Sequence, residues 1–85
     1  MSETREHMIK RLHMRSMRRG IKEMDLILSA YAQAELDGMS AEDLALYDAL
    51  LNENDQDLYT WVTGQIEAPA QYSAMIHAIS QVFQK

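Results

Sequence analysis

The stretch Ile21-Lys22-Glu23-Met24-Asp25-Leu26-Ile27-Leu28-Ser29-Ala30-Tyr31-Ala32-Gln33-Ala34-Glu35-Leu36 decides the fold. Met24, Ile27, Leu28 and Tyr31 recur at i, i+3, i+4 and i+7, the apolar stripe of a helix that turns one face to a core. The same helical period runs through the rest of the chain. Upstream, residues about 5–18 read as a first helix, with Met8, Leu12 and Met17 roughly on one side and Ile9 and Met14 flanking. Gly20 interrupts it and reads as its C′ residue, because left-handed geometry costs glycine nothing. Cations crowd the end of this helix, where the negative dipole end favours them.

Downstream, Asp37-Gly38 stops the second helix. Ser40 with Asp43 three residues on resembles a capping box and opens a third, striped by Leu44, Tyr47, Leu50 and Leu51. Asp55 suits the N-cap of a short fourth helix in which Leu58, Trp61 and Val62 face inward, and Gly64 ends it. Pro69 fits the first turn of a fifth, where Tyr72, Met75, Ile76, Ile79 and Phe83 share a face. The reading is therefore an all-α protein, a compact five-helix bundle. Its expected core holds Leu12, Met24, Ile27, Leu28, Leu44, Tyr47, Leu50, Leu58, Trp61, Ile76 and Ile79. The seven methionines read mainly as adaptable core fillers.

Composition agrees. A length of 85 residues allows one domain, 1–85, and 47% hydrophobic residues lie at the globular norm. Cysteine is absent, which excludes a disulfide scaffold, a thiolate zinc site and a cysteine nucleophile together. One Pro and three Gly supply too little turn chemistry for a many-stranded sandwich. Apolar runs are only a few residues long, so no membrane insertion is expected.

The net charge of −5 is unevenly spread. Residues 1–22 hold seven of the eight Lys and Arg residues against Glu3 and Glu6 alone, whereas 23–84 hold eleven acids and no base. Such an electrical dipole implies either a partner surface or neutralisation of one half by the other. A nucleic-acid-binding helical module would use the basic segment on phosphates, but the acidic remainder would repel the same polyanion.

Catalytic chemistry finds little to use. His7, His13 and His77 lack the i, i+4 spacing of a helical zinc site, and no metal site is expected. The glycines are isolated, so no phosphate loop forms. The acid pairs Glu42/Asp43 and Asp55/Asp57 sit at helix starts, where capping explains them. No enzymatic activity of its own is expected.

The informative corner is Arg18-Arg19-Gly20-Ile21-Lys22-Glu23-Met24-Asp25, with two guanidiniums before a helix break and two carboxylates after it. Arg19 is placed to reach Glu23 across the break. Gly20, with no side chain, allows a partner's backbone to come close. The same residues also describe a capped corner with a surface salt bridge of little worth, and on physics alone the two readings stand level.

These residues resemble a known family, the small succinate dehydrogenase assembly factors of the SdhE type. Its R-G-x-x-E motif, usually continued x-D, stands here as Arg19-Gly20-Ile21-Lys22-Glu23-Met24-Asp25. A second hallmark, an acidic pair followed by hydrophobic residues and a tryptophan, stands as Asp55-Gln56-Asp57-Leu58-Tyr59-Thr60-Trp61. The resemblance covers about residues 8–83. The family often carries bulky aromatics just before R-G, where this chain has Met17 and Arg18.

The resemblance implies a five-helix bundle that binds the flavoprotein subunit of succinate dehydrogenase, and in some cases fumarate reductase. It further implies promotion of covalent FAD attachment, through a bond between the flavin 8α-methyl and a histidine of the partner. Arg19, Gly20 and Glu23 would be partner-binding contacts, with Arg18 and Asp25 as neighbours, while Asp55, Asp57 and Trp61 would be structural. A bundle of this size exposes only about 5,000 Å², so FAD is expected to stay in the partner, with no cofactor held stably here. A monomer is expected. The resemblance also leaves an antitoxin-type regulatory protein as an alternative. Because eukaryotic relatives carry mitochondrial presequences and the first helix here begins almost at once, a bacterial, cytoplasmic protein is expected.

Overall fold

The computed structural model describes residues 3–83. Helix α1 (Arg5–Arg15) begins where the Thr4 hydroxyl accepts the His7 N–H at 3.1 Å, satisfying one of the free donors of the first turn. It stops at Arg15 rather than near Arg18, and Ser16 is the reason. The Ser16 hydroxyl donates back to the Leu12 carbonyl at 2.7 Å and is met by the buried Tyr47 hydroxyl at 2.6 Å. A serine held in this way offers the backbone an alternative to another helical turn. Gly20 is accordingly not the C′ residue of α1. The left-handed residue in the connection is Arg18, at φ 58°, and Gly20 has no positive φ.

Helix α2 (Lys22–Glu35) buries Met24, Ile27, Leu28, Tyr31 and Ala32, the stripe read from sequence plus one alanine. It is the central element, packing against α1, a later helix α4 (Asp55–Val62) and the last helix, α5 (Ser73–Phe83). A single 3₁₀ turn, Leu36–Gly38, ends it and leads to α3 (Ala41–Leu50), where Ser40 accepts the Asp43 N–H at 3.1 Å. The cap of α4 is Asn54, whose Oδ1 accepts the Gln56 N–H at 2.7 Å. Asp55 thus moves from the expected cap to the first helical position, and its carboxylate is free for other work.

Gly64, at φ 82°, closes α4 in the left-handed conformation: its N–H donates to Trp61 and that of Gln65 to Thr60. Pro69 precedes a second 3₁₀ turn, Ala70–Tyr72, and α5 starts only at Ser73. Among the described residues there is no strand. All-α architecture in five helices is what the sequence implies, and it is what the chain adopts. The side chain of Phe83, placed by the sequence on the inner face of α5, lies outside the described residues.

Ten of the eleven expected core residues are buried. Trp61 is the exception. In so short a helix Leu58 and Val62 occupy the core positions, and Trp61 covers the flank, half-buried and stacked on Tyr72 with ring centroids 6.2 Å apart. Two methionines also depart from expectation: Met14 is 64% and Met17 43% exposed, while Met8 stays half-buried against the core. Early termination of α1 explains Met17, which lies beyond the last helical turn.

Candidate functional site

The basic N-terminal segment and the acidic remainder meet at three guanidiniums. Arg11 donates to both oxygens of Glu3 at 2.8 Å and both of Asp48 at 3.0 Å. Arg15 bonds the same Asp48 carboxylate and, at 2.7 Å, Asn52 Oδ1. The Arg11 hydrogen bonds hold the Asp48 carboxyl below its ordinary range, against a smaller opposing effect of burial. Arg19 makes the third link, to Asp55. Neutralisation between the halves is therefore real, and it removes three of the seven N-terminal bases from the pool available to phosphates.

Arg19 and Gly20 share one anchor. Asp55 Oδ1 accepts from Arg19 Nε at 2.8 Å and lies 2.7 Å from Nη2, while Oδ2 accepts the Gly20 N–H at 2.7 Å. Arg19 also donates from Nη1 to the Arg15 carbonyl at 3.1 Å and from Nη1 and Nη2 to the Leu51 carbonyl at 3.3 Å. Arg15 and Leu51 lie at the C-terminal ends of α1 and α3, where carbonyls lack intrahelical partners and a cation is favoured. With a side chain only 12% exposed, Arg19 joins the ends of α1 and α3 to the start of α4. Its expected pairing with Glu23 does not form, because its donors are engaged on the other side.

The need for glycine at position 20 follows from the same geometry. A Cβ built there would lie 3.1 Å from Asp55 Oδ2, tighter than an ordinary contact. Close approach to the carboxylate, not a left-handed backbone, is what the position demands.

Asp25 has a related task on the opposite flank. Its Oδ2 accepts the Arg18 N–H at 2.8 Å, fixing the left-handed residue, and its Oδ1 accepts from Ser29 at 3.3 Å. Arg18 and Glu23 are left facing solvent, with Lys22 and the 64%-exposed Leu26 beside Glu23 on the outer face of α2. The five residues singled out by sequence thus fall into two groups. Arg19, Gly20 and Asp25 build the corner, and Arg18 and Glu23 are displayed by it. Asp55, read from sequence as the N-cap of the fourth helix and through the resemblance as a structural residue, is the hub. An acid one place past a residue able to cap was the available signal. A cleft of about 280 Å³ beside the corner, lined by Arg15, Met17, Arg18, Arg19, Gly20 and Asp55, has room for side chains and not for a dinucleotide.

The corner thus displays a cation, Arg18, and an anion, Glu23, from a base fixed by Asp55 and Asp25. A family model described as flavinator of succinate dehydrogenase matches residues 10–83, a span that contains the whole arrangement. The chain belongs to that family.

Relatives of the flavinator family bear this out along most of the sequence. Succinate dehydrogenase assembly factor 2, mitochondrial, of Schizosaccharomyces pombe is 41% identical over 83 residues, covering 98% of this chain and 56% of its own length. Assembly factor 2-B, mitochondrial, of Drosophila mojavensis is 43% identical over 76 residues, covering 87% of this chain and 46% of its own. The Candida glabrata assembly factor 2, mitochondrial, is 55% identical over 53 residues, covering 62% and 35%. The chain spans about half the length of the curated relatives it matches.

These relatives overturn one expectation. They are named as mitochondrial proteins of eukaryotes, which points away from the bacterial, cytoplasmic setting inferred from an early first helix. The position of the first helix carries no such information when the relatives are about twice as long. Within the described residues no helix is long and apolar enough to cross a membrane.

Proposed function

We propose that this flavinator-family chain binds the flavoprotein subunit of succinate dehydrogenase and promotes covalent attachment of FAD to it. The observation that carries the proposal is the division of labour at the Arg-Gly-x-x-Glu corner. Arg19 and Gly20 are locked onto Asp55, so Arg18 and Glu23 project from a fixed base. Display of opposite charges in fixed geometry suits recognition of a folded partner, since little ordering remains to be done on binding. FAD belongs to the partner in this reading, and this chain acts as a binding partner that favours the reactive arrangement, supplying no reacting group. The proposal is confined to succinate dehydrogenase.

Its test is in-gel flavin fluorescence of the flavoprotein subunit in cells lacking the native factor. Complementation by the wild-type chain is expected to restore covalent flavin, and Glu23→Ala at matched expression to restore much less. Full restoration by Glu23→Ala would remove the corner from the working surface. No restoration by the wild type would remove the function.

A further inference from the structure

We infer that the outward face of α1 is a second contact strip, continuous with the corner and fitted to an acidic, apolar-studded surface of the same flavoprotein. This deepens the proposed function and rests on it. The inner side of α1 is occupied, with Leu12 buried and Met8 and Ile9 packed on the core. On the outer side His7, Lys10 and Met14 follow one another at i, i+3 and i+7, and with the stems of Arg11 and Arg15 and with Glu3, whose carboxylate is spent on Arg11, they line a cleft of about 470 Å³. Arg15 also lines the cleft beside Arg18 and Gly20, so the two surfaces join without a break.

Charge decides the occupant. Arg11, Arg15 and Arg19 are consumed by Glu3, Asp48 and Asp55. Among the described residues Arg5, Lys10, Arg18 and Lys22 carry no ion pair, and all four are exposed; Arg5 donates to the Asp37 carbonyl at 2.9 Å. Of these, Lys10 lies on the strip, Arg18 where the strip meets the corner and Lys22 at the start of α2 just beyond it, on a molecule whose net charge is −5. An acidic surface is repelled by most of the molecule and attracted here, which orients the encounter with α1 leading. The exposed Met14 and Met17 stand among those cations. Unbranched thioethers mould to irregular apolar contacts, so the strip takes carboxylates together with apolar side chains.

The experiment titrates the purified, flavin-free flavoprotein subunit with the wild-type chain, Lys10→Glu, Met14→Gln and Glu23→Ala, at low and high salt. Both strip positions are exposed and both replacements are good helix formers, so helicity by circular dichroism should be unchanged. Lys10→Glu is expected to weaken binding about tenfold at low salt and to flatten the salt dependence. Met14→Gln is expected to weaken it about fivefold with the salt dependence kept. If wild type binds and Glu23→Ala weakens binding while both strip variants match wild type, the strip is overturned and the corner stands. If wild type does not bind, the proposed function falls and the strip with it. In a parallel titration of anionic lipid vesicles, strip variants that lose binding there and keep it to the flavoprotein would likewise overturn the inference.

Discussion

Asp55 reaches back 35 residues to Gly20, accepting its N–H on Oδ2 at 2.7 Å while Oδ1 holds Arg19. One carboxylate at the start of α4 thus sets the shape of a corner between α1 and α2.

Removing that carboxylate leaves a mostly buried guanidinium without its anion. Asp55→Ala is expected to cost about 3 kcal/mol, and Asp55→Asn less, since the amide still accepts the Gly20 N–H. Urea denaturation with an unchanged slope measures both. A loss below about 0.5 kcal/mol for the alanine variant would show that the clamp adds nothing to stability.

Gly20→Ala separates crowding from backbone strain. With φ outside the left-handed region, the added Cβ meets only Asp55 Oδ2. Entropy gained in the unfolded chain offsets part of that crowding, so stability should change by no more than about 1 kcal/mol. Gly20→Arg adds the same Cβ contact and brings a second guanidinium to compete with Arg19 for Asp55, and it should lower covalent flavin in the complementation assay while remaining helical. A loss of several kcal/mol in Gly20→Ala, seen as a collapsed thermal midpoint, would contradict this account of the position.

Tyr47 is fully buried, and its hydroxyl meets Ser16 at 2.6 Å. Tyr47→Phe should cost about 1 kcal/mol at neutral pH. Burial pushes the phenol up to about 12, above its ordinary value near 10, and Tyr31 shifts likewise for the same first cause. A group whose folded pKa is raised lends stability that is whole below the unfolded value and lost as pH climbs through the folded one. Stability should therefore fall between about pH 10 and 12, and Tyr47→Phe should flatten that fall. Identical alkaline limbs in the two proteins would count against burial as the cause.

At the acid end the sign reverses. Asp48, held low by Arg11, lends stability that is present above the ordinary carboxylate range and lost as pH falls through its depressed value. Asp48→Asn should flatten the acid limb of a urea-midpoint profile. An unchanged limb would mean that Asp48 is as easily protonated in the folded chain as in the unfolded one.

Trp61→Ala should cost about 2 kcal/mol, short of the full loss for a core tryptophan, because the ring is half-buried and stacked on Tyr72. A loss above about 4 kcal/mol would restore it to the core.

The helices were legible because their signals are local. Met24, Ile27, Leu28 and Tyr31 declare one face of α2 within two turns, and Ser40 with Asp43 marks a helix start within four residues. The corner was legible in composition and not in partnership. Arg19 has Glu23 four residues away and Asp55 thirty-six away, and nothing in the local sequence favours the distant carboxylate. Asp55 wins because the packing of α4 on α2 brings its first turn under the α1–α2 connection. The end of α1 was misplaced for a similar reason: Ser16 is an ordinary helical residue until Tyr47, thirty-one positions on, supplies its buried partner. Whether Trp61 or Val62 enters the core likewise depends on how α4 is rotated against its neighbours, which spacing over eight residues does not fix.

The links from Arg11 and Arg15 to Asp48, and from Arg19 to Asp55, all join the first quarter of the chain to residues beyond its middle. During synthesis, α1 and α2 leave the ribosome before those acids emerge to meet them. The motif is then present as sequence without being present as shape. A nascent chain halted before Asp55 would carry Arg19, Gly20 and Glu23 on a slack hinge. The display surface is thus a late product of folding, and a stalled or truncated chain would be a poor competitor for the finished protein's partner.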